Sequence, residues 1–326
     1  MTQNVPEELI RFINSGSKFI IAGHKEPDGD CVGSQLALCG ALMRLGKEAA
    51  AYSAGPFKRA EIKRYAPQFI TEPEEKDKQD AKLIIVDCSS KERTGSLKDF
   101  LEGLPAAVID HHLAGNHQPS SPDAPVFIDP DAPSCTLLIL EVINALGLEL
   151  APHEAGLLLF GLCTDTGFFR HLNEKNGPVF EAAAKMVRCG ASPKEIYRLM
   201  HGGKSLDSRI LLGRILSRTE SYFDGRLLIS CETLEEFNTF GFESRDSDTL
   251  NQLLLSVMGA EAVVIIRQEF ADNCTVSLRS VDKIDVARIA ASYGGGGHRN
   301  AAGLTMKESI SHIKQKILKS FTEIFQ

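Results

Sequence analysis

Through the first half of the chain, short apolar runs alternate with longer stretches that carry an amphipathic or helical pattern. "KFIIAG" (18–23), "AKLIIVD" (81–87) and "AAVID" (106–110) are apolar at nearly every position, while "EAAAYS" (48–53) is weaker and "PVFID" (125–129) shorter. A strand with one wet face alternates polar and apolar residues; a strand that is apolar throughout must be covered on both faces. The segment "CVGSQLALCGALMRLG" (31–46) reads as a helix with Gly46 as its stop. Buried strands interleaved with helices predict a mostly parallel sheet with helices on both sides. Helical patterns then take over in "SCTLLILEVINALG" (134–147), "PHEAGLLLFGLCTDTGFF" (152–169), "SPKEIYRLMH" (192–201) and "SLDSRILLGRIL" (205–216). The rhythm changes again after that. "RLLISCE", "AVVIIRQEF" and "NCTVSLRS" alternate in part, and "DVARIAASYGGGGHRNAAGLTM" (285–306) reads as a helix, a glycine loop and a strand. An amphipathic helix closes the chain. The pattern predicts two α/β domains: residues 1–190 with the mostly parallel sheet, a helical linker over 191–218, and a smaller domain over 219–326. "HGGKS" is the candidate hinge.

Three of the early apolar runs end in clusters of acids or histidines. "HKEPDGD" (24–30) follows the first, Asp87 ends the second, and Asp110, His111 and His112 end the third. In open parallel sheets, ligands bind beyond the carboxyl ends of the strands, so these clusters are expected at one edge. Crowded carboxylates repel one another, and a cation is expected among them. Asp165 stands inside an apolar helical stretch, where a lone charge needs a partner. In the second half, Gly295, Gly296 and Gly297 run into His298, and backbone amides of such a run can form a nest for a phosphate. Arg279, at the end of "CTVSLRS", is the candidate fixed cation beside it. Arg170 has two readings, a substrate contact or a surface ion pair. His201 also has two, a functional residue or packing at the hinge.

Composition narrows the partners. The chain has 326 residues and a net charge of −7, and a protein that tracks a long nucleic acid usually presents a basic face. Any nucleic acid bound here is therefore expected to be short. The 8 cysteines show no pair at metal or redox spacing and are expected as buried free thiols. No apolar stretch reaches the length of a membrane span, and the start of the chain lacks the pattern of a signal peptide, so a cytoplasmic location is expected.

"HKEPDGD", "VDCSS", "IDHH" and "TDTGFF" follow one another in the order and spacing of the DHH phosphoesterases, and "GGGGHRNAAG" (294–303) resembles the nucleotide-binding loop of the associated DHHA1 domain. Among these, the chain is most similar to compact members that act as oligoribonucleases and as phosphatases of 3′-phosphoadenosine 5′-phosphate. The resemblance implies an active site in the cleft between the two domains and two divalent metal ions, Mn²⁺ first, with Mg²⁺ or Co²⁺ as substitutes. It implies that His24 and Asp28 hold one ion, Asp30 and His111 the other, with Asp87 bridging and Asp165 completing the set. Asp110 would orient the neighbouring histidines, and His112 would face the substrate phosphate. Gly295, Gly296, Gly297, His298 and Arg279 would hold the substrate. The implied partners are short RNA oligonucleotides or small phosphorylated nucleotides, with no long nucleic acid and no membrane; a homodimer is left open. Two other activities share the first-domain motifs: hydrolysis of linear dinucleotides of the pGpG or pApA type, and manganese inorganic pyrophosphatase or exopolyphosphatase activity. The glycine–histidine loop argues against the latter.

Overall fold

A computed structural model describes residues 4–112, 124–281 and 284–325. The chain divides into two compact units at Gly202/Gly203. The first contains α1 (Glu7–Asn14), β1 (Lys18–Ala22), α2 (Gly29–Arg44), β2 (Glu48–Tyr52), β3 (Phe69–Ile70), β4 (Ala81–Val86) and α3 (Lys98–Leu101). It continues with β5 (Ala106–Asp110), β6 (Val126–Ile128), α4 (Cys135–Ala145), α5 (Pro152–Asp165), α6 (Gly177–Arg188) and α7 (Pro193–His201). The strands form one sheet in the order β3-β2-β1-β4-β5-β6, and every pairing is parallel. Alternate residues of β1 go to opposite sides. Phe19 and Ile21 join the core shared with α2, α4 and α5, while Ile20 and Ala22 pack with Leu97 and Leu101. This two-sided burial is why the strands are apolar throughout.

A parallel sheet puts the carboxyl ends of all its strands at one edge. Because β1, β4 and β5 are neighbours, the segments after Ala22, Val86 and Ile109 emerge side by side. Helix α5 is brought to the same place by small residues. A Cβ on Gly33 would stand 2.6 Å from the Leu157 carbonyl oxygen, and one on Gly29 would stand 2.4 Å from Thr164 Cγ2. The need for Gly29 therefore comes from the approach of α5. Its φ is not in the left-handed region, so backbone freedom is not what the position asks for.

The second unit contains α8 (Leu206–Ser217), β7 (Glu220–Tyr222), β8 (Leu227–Glu232), α9 (Leu234–Phe240), α10 (Ser247–Leu255), β9 (Ala262–Phe270) and β10 (Asn273–Ser280). It ends with α11 (Val286–Ser292), β11 (Gly296–His298), β12 (Ala301–Met306) and α12 (Ile310–Phe325). Its sheet runs β11-β12-β10-β9-β8-β7, with β8 and β9 parallel and the other pairs antiparallel. Leu227, Val264 and Ile266 face a core with α11 and α12, while Leu228, Val263 and Ile265 face Leu211 and Ile215 of α8.

Two features differ from the sequence expectation. The segment 191–218 is divided: α7 belongs to the first unit and α8 to the second, where its apolar side covers one face of the sheet. The helical pattern of 152–169 stops at Asp165. Thr166 Oγ1 donates to the Leu162 carbonyl at 2.6 Å and accepts from the Phe169 amide at 3.0 Å. Gly167, Phe168 and Phe169 then all adopt positive φ, so the chain turns away immediately after the acid. Left-handed phenylalanines are strained and persist only where surroundings over-determine them.

Candidate metal centre

Asp28 is the N-cap of α2; its Oδ1 accepts from the amides of Asp30 and Cys31, both at 3.1 Å. Asp30, two residues on in the first turn, is fully buried. Its two oxygens accept from the first amides of α4, Cys135 at 2.5 Å and Thr136 at 2.9 Å. A helix N-terminus stabilises a buried carboxylate there. Asp87 leaves β4 with a φ of 57°, an outlier for a residue with a Cβ. This turns its carboxylate between two imidazoles: Oδ2 lies 3.4 Å from His24 Nε2 and Oδ1 lies 3.4 Å from His111 Nε2. The same His111 nitrogen stands 3.4 Å from Asp165 Oδ2 and 3.6 Å from Asp30 Oδ2.

The imidazoles are held by their other nitrogens. His24 Nδ1 lies 2.8 Å from the Lys25 carbonyl and His111 Nδ1 lies 3.1 Å from the Ala132 carbonyl. A carbonyl only accepts, so Nδ1 carries the proton in each ring and Nε2 points into the carboxylates. Asp110 works differently. Its Oδ1 accepts from the amides of His111 and His112 and from His112 Nδ1, the last at 2.7 Å. His112 is thereby fixed with Nε2 free, its side chain 42% exposed.

Several donor atoms of this arrangement are orphaned. Asp87 Oδ1, Asp110 Oδ2 and His111 Nε2 are buried without a hydrogen-bond partner. Burial pushes the Asp30 carboxyl well above its ordinary range, helped by Asp87 and Asp165. Burial, with Asp28 and Asp87, pushes Asp165 up to about 7. Burial opposes protonation of His111, yet Asp87 and Asp30 raise it to about 9. Burial likewise opposes charging His24, and Asp28 and Asp87 overcome it, so its pKa is raised. Asp28 is pushed up by burial and drawn down to about 2 by His24. Protonation is thus favoured at the Asp30 and Asp165 carboxyls and at both imidazoles. Divalent cations fit the donor set: the ligand atoms of Asp30, His111 and Asp165 lie within 4.8 Å of one another, as do those of His24, Cys31 and Asp87, and of Asp87, His111 and His112. Asp87 contributes to two of the groups, one oxygen to each side. Oxygen and imidazole donors suit Mn²⁺ and its neighbours.

The structure thus brings together His24, Asp28, Asp30, Asp87, Asp110, His111, His112 and Asp165. Sequence reading missed Cys31. It is fully buried, its thiol pushed up to about 12 by burial, with Sγ against the His24–Asp87 pair. Its place directly after Asp30 was the available signal. All 8 cysteines are free.

The candidate substrate residues form a second, different surface. The glycine run is partly a strand. Gly296 pairs with Gly303, Gly297 with Ala302 and His298 with Ala301. On the other side of β12, Ala301 faces Arg279 and Gly303 faces Ser277. Directly opposed residues share a face, so Arg279, Ala301 and His298 form one row, with Ser277, Gly303 and Gly296 as the next row on that face. The face is a glycine floor with two cationic or polar posts. The amides of Gly294 and Gly295 are used, donating to the Ala291 and Ala290 carbonyls at 3.0 and 2.9 Å. The expected phosphate nest is therefore corrected at Gly295, whose amide closes helix α11. A Cβ on Gly295 would stand 2.4 Å from the Gly303 carbonyl oxygen, so close packing accounts for this glycine. Arg170 is exposed, with its Nη2 3.3 Å from His171 Nε2. His201 ends α7 with its ring 4.6 Å from that of Tyr197.

Residues 18–162 match the family model described as DHH family, N-terminal domain, and residues 230–326 match the DHHA1 domain. Over 99% of this chain and 98% of the other, the sequence is 30% identical to the bifunctional oligoribonuclease and PAP phosphatase NrnA of Thermus thermophilus. The chain belongs to the DHH family. Other DHH-type folds superpose on it along its whole length. A crystal structure of an exopolyphosphatase-related protein from Bacteroides fragilis gives a TM-score of 0.84 at 23% identity, covering 100% of this chain and 98% of that one. RecJ in complex with Mn²⁺ from Thermus thermophilus gives 0.52 at 17% identity, covering 97% of this chain and 54% of that one. At those identities the likeness speaks for the DHH fold alone.

Proposed function

We propose that this chain is a metal-dependent phosphoesterase that hydrolyses short oligoribonucleotides to mononucleotides and removes phosphate from 3′-phosphoadenosine 5′-phosphate. The observation that carries the chemistry is the buried carboxylate–imidazole cluster with its orphaned atoms. The substrate class is supported by the relative named as an oligoribonuclease and PAP phosphatase, similar over its full length. His24 and Asp28 would hold one divalent ion, Asp30 and His111 the second, with Asp87 between them and Asp165 completing the set. Bound ions supply a water of lowered pKa and charge for the phosphate oxygens. Mn²⁺ is the ion proposed, on the donor set and on the RecJ structure named with Mn²⁺. Asp110 holds the Nδ1 proton of His112; with a second proton on Nε2 the ring would donate to a phosphate oxygen or to the leaving oxygen. The second unit would recognise the substrate, with Arg279 and His298 holding a terminal phosphate. No helix among the described residues is long and apolar enough to cross a membrane. Eight free thiols fit the reducing cytoplasm, where we place the protein.

The test offers the purified protein, stripped of metal and then supplied with Mn²⁺, four substrates in parallel. These are an RNA dinucleotide, 3′-phosphoadenosine 5′-phosphate, a linear signalling dinucleotide and pyrophosphate. The expected result is Mn²⁺-dependent turnover of the first two. Turnover of pyrophosphate alone, or full activity without metal, would overturn the reading.

A further inference from the structure

The second sheet has two faces, and the candidate phosphate residues use one of them. Arg279 lies directly opposite Val263, which packs with α8, so both project to that side. Ile229 and Ile266 face the other side, towards α12. There a cavity of about 420 Å³ opens between β8, β9 and the start of α12. Small-molecule sites run from about 300 to 1,000 Å³. Ile229, Ile266 and Ile310 give the cavity an apolar wall, and Arg218 and Lys314 add two cations. Arg218 Nη1 and Nη2 donate to Glu236 at 2.5 and 2.6 Å, and Nη1 also donates to the Cys231 carbonyl at 3.2 Å. Glu236 lies outside the lining, and among the described residues Arg218 Nε has no partner. Lys314 Nζ stands 2.6 Å from each oxygen of Glu220, the one acid in the lining, and neutralises it. Ser311, one turn before Lys314 on α12, adds a hydroxyl beside it. Gln268 donates through Nε2 to the Ala271 carbonyl at 2.9 Å, which leaves Oε1 as an acceptor.

We propose that this cavity binds a nucleoside monophosphate, in a site separate from the metal centre and from the Arg279–His298 face. The phosphate is the partner for Arg218, Lys314 and Ser311, which offer a spare guanidinium N–H, an ammonium and a hydroxyl. The isoleucines take the flat faces of the base and the sugar. Gln268 Oε1 accepts from an exocyclic amino group of the base. Inorganic phosphate would leave the isoleucine wall unused, and a fatty acid would leave Gln268 unused. The choice of ligand rests on the oligoribonuclease reading, because that hydrolysis releases mononucleotides; the cavity and its donors do not depend on it.

The experiment titrates AMP calorimetrically into the metal-free full chain carrying Arg279→Ala, which removes the other proposed phosphate contact. AMP should still bind, one per chain. Ser311→Trp, added at an exposed position to fill the cavity, should abolish that binding. Two milder variants serve should the tryptophan disturb folding. Lys314→Ala should weaken AMP by about ten- to a hundredfold, and Gln268→Ala by about three- to tenfold. Inorganic phosphate, titrated in a second arm, should bind at least about tenfold more weakly than AMP. An Arg279→Ala chain that binds no AMP, AMP binding unchanged by all three cavity variants, or phosphate binding as tight as AMP would each overturn the mononucleotide site. A chain that binds AMP as expected yet cleaves no RNA with Mn²⁺ would overturn the oligoribonuclease reading and leave the site standing.

Discussion

The candidate metal centre of the first unit and the glycine hairpin of the second, both proposed to meet phosphate, are built by opposite means. In the centre, Asp30 and Asp87 are buried, Asp87 is backbone-strained, and several atoms lack partners. Burial and the neighbouring carboxylates raise Asp165, and the carboxylates raise His111 against burial. In the hairpin, Gly296, Gly297 and His298 are exposed, the strands are paired in register, and Arg279 stands on a regular strand. The centre stores unfavourable electrostatics that a cation relieves. The hairpin stores none, and offers a flat, preorganised face. Chemistry needs the first kind of site, because charge must be concentrated where bonds change. Recognition needs the second, because affinity is lost to whatever must be rearranged.

The difference is broken most severely at Asp87. Asn preserves the tolerance for positive φ and removes the charge. Asp87→Asn should lower kcat on every substrate by about a hundredfold or more. Steady-state kinetics with saturating Mn²⁺ check this, and retention of a tenth of wild-type turnover would remove Asp87 from the shared position. In the hairpin, Arg279→Ala and His298→Ala should each reduce kcat/KM for an RNA dinucleotide by about ten- to a hundredfold. The loss on bis-p-nitrophenyl phosphate, which has no terminal phosphate to hold, should be far smaller. Wild-type values on the dinucleotide would leave the hairpin with no part in recognition.

A pH series separates the two sites more finely. Asp165 sits at about 7 and His111 at about 9, both raised. Each is protonated below its pKa, so a divalent ion must displace those protons. Metal affinity is therefore greatest at high pH and falls as pH drops, by about tenfold per pH unit for each proton released. Calorimetric titration of Mn²⁺ at pH 8 and pH 6, in buffers of different ionisation enthalpy, measures both the affinity and the protons. Arg279→Ala, which changes a residue outside the candidate ligand set, should leave this pH dependence of Mn²⁺ affinity unchanged. The smallest effect is expected at Gly297, whose φ is 146° and where a Cβ would stand 2.5 Å from the Ala301 carbonyl oxygen. Gly297→Ala should cost about 1–3 kcal/mol of stability, read by denaturant melts, and shift His298. An unchanged melt would mean that the hairpin tolerates more than its backbone suggests.

The chemistry-bearing motifs were legible because each is dense in its own few residues. "HKEPDGD" and "IDHH" concentrate carboxylates and imidazoles directly after apolar strands, and parallel sheets gather such strand ends. What stayed hidden depends on partners far along the chain. Asp30 is held by amides of Cys135 and Thr136, more than a hundred residues away. Cys31 reads as one more buried thiol until β4 brings Asp87 beside it. Helix α8 reads as a connector until its leucine and isoleucine are seen covering the second sheet.

The short β3, β7 and β11 were not legible. What the sequence determined by itself was the long apolar strands of the first sheet, their two-sided burial, the order of the motifs and the kind of donor each supplies. These follow from local periodicity and from side-chain chemistry, which need no knowledge of neighbours. Tertiary structure alone decided which nitrogen each imidazole presents and which carboxylate lies between two of them. It also decided that Gly29 admits α5, and that the amides of Gly294 and Gly295 are already used. The physical reason is range: a hydrogen bond or a close backbone approach is settled within a few ångströms, and only folding brings residues distant in sequence that near.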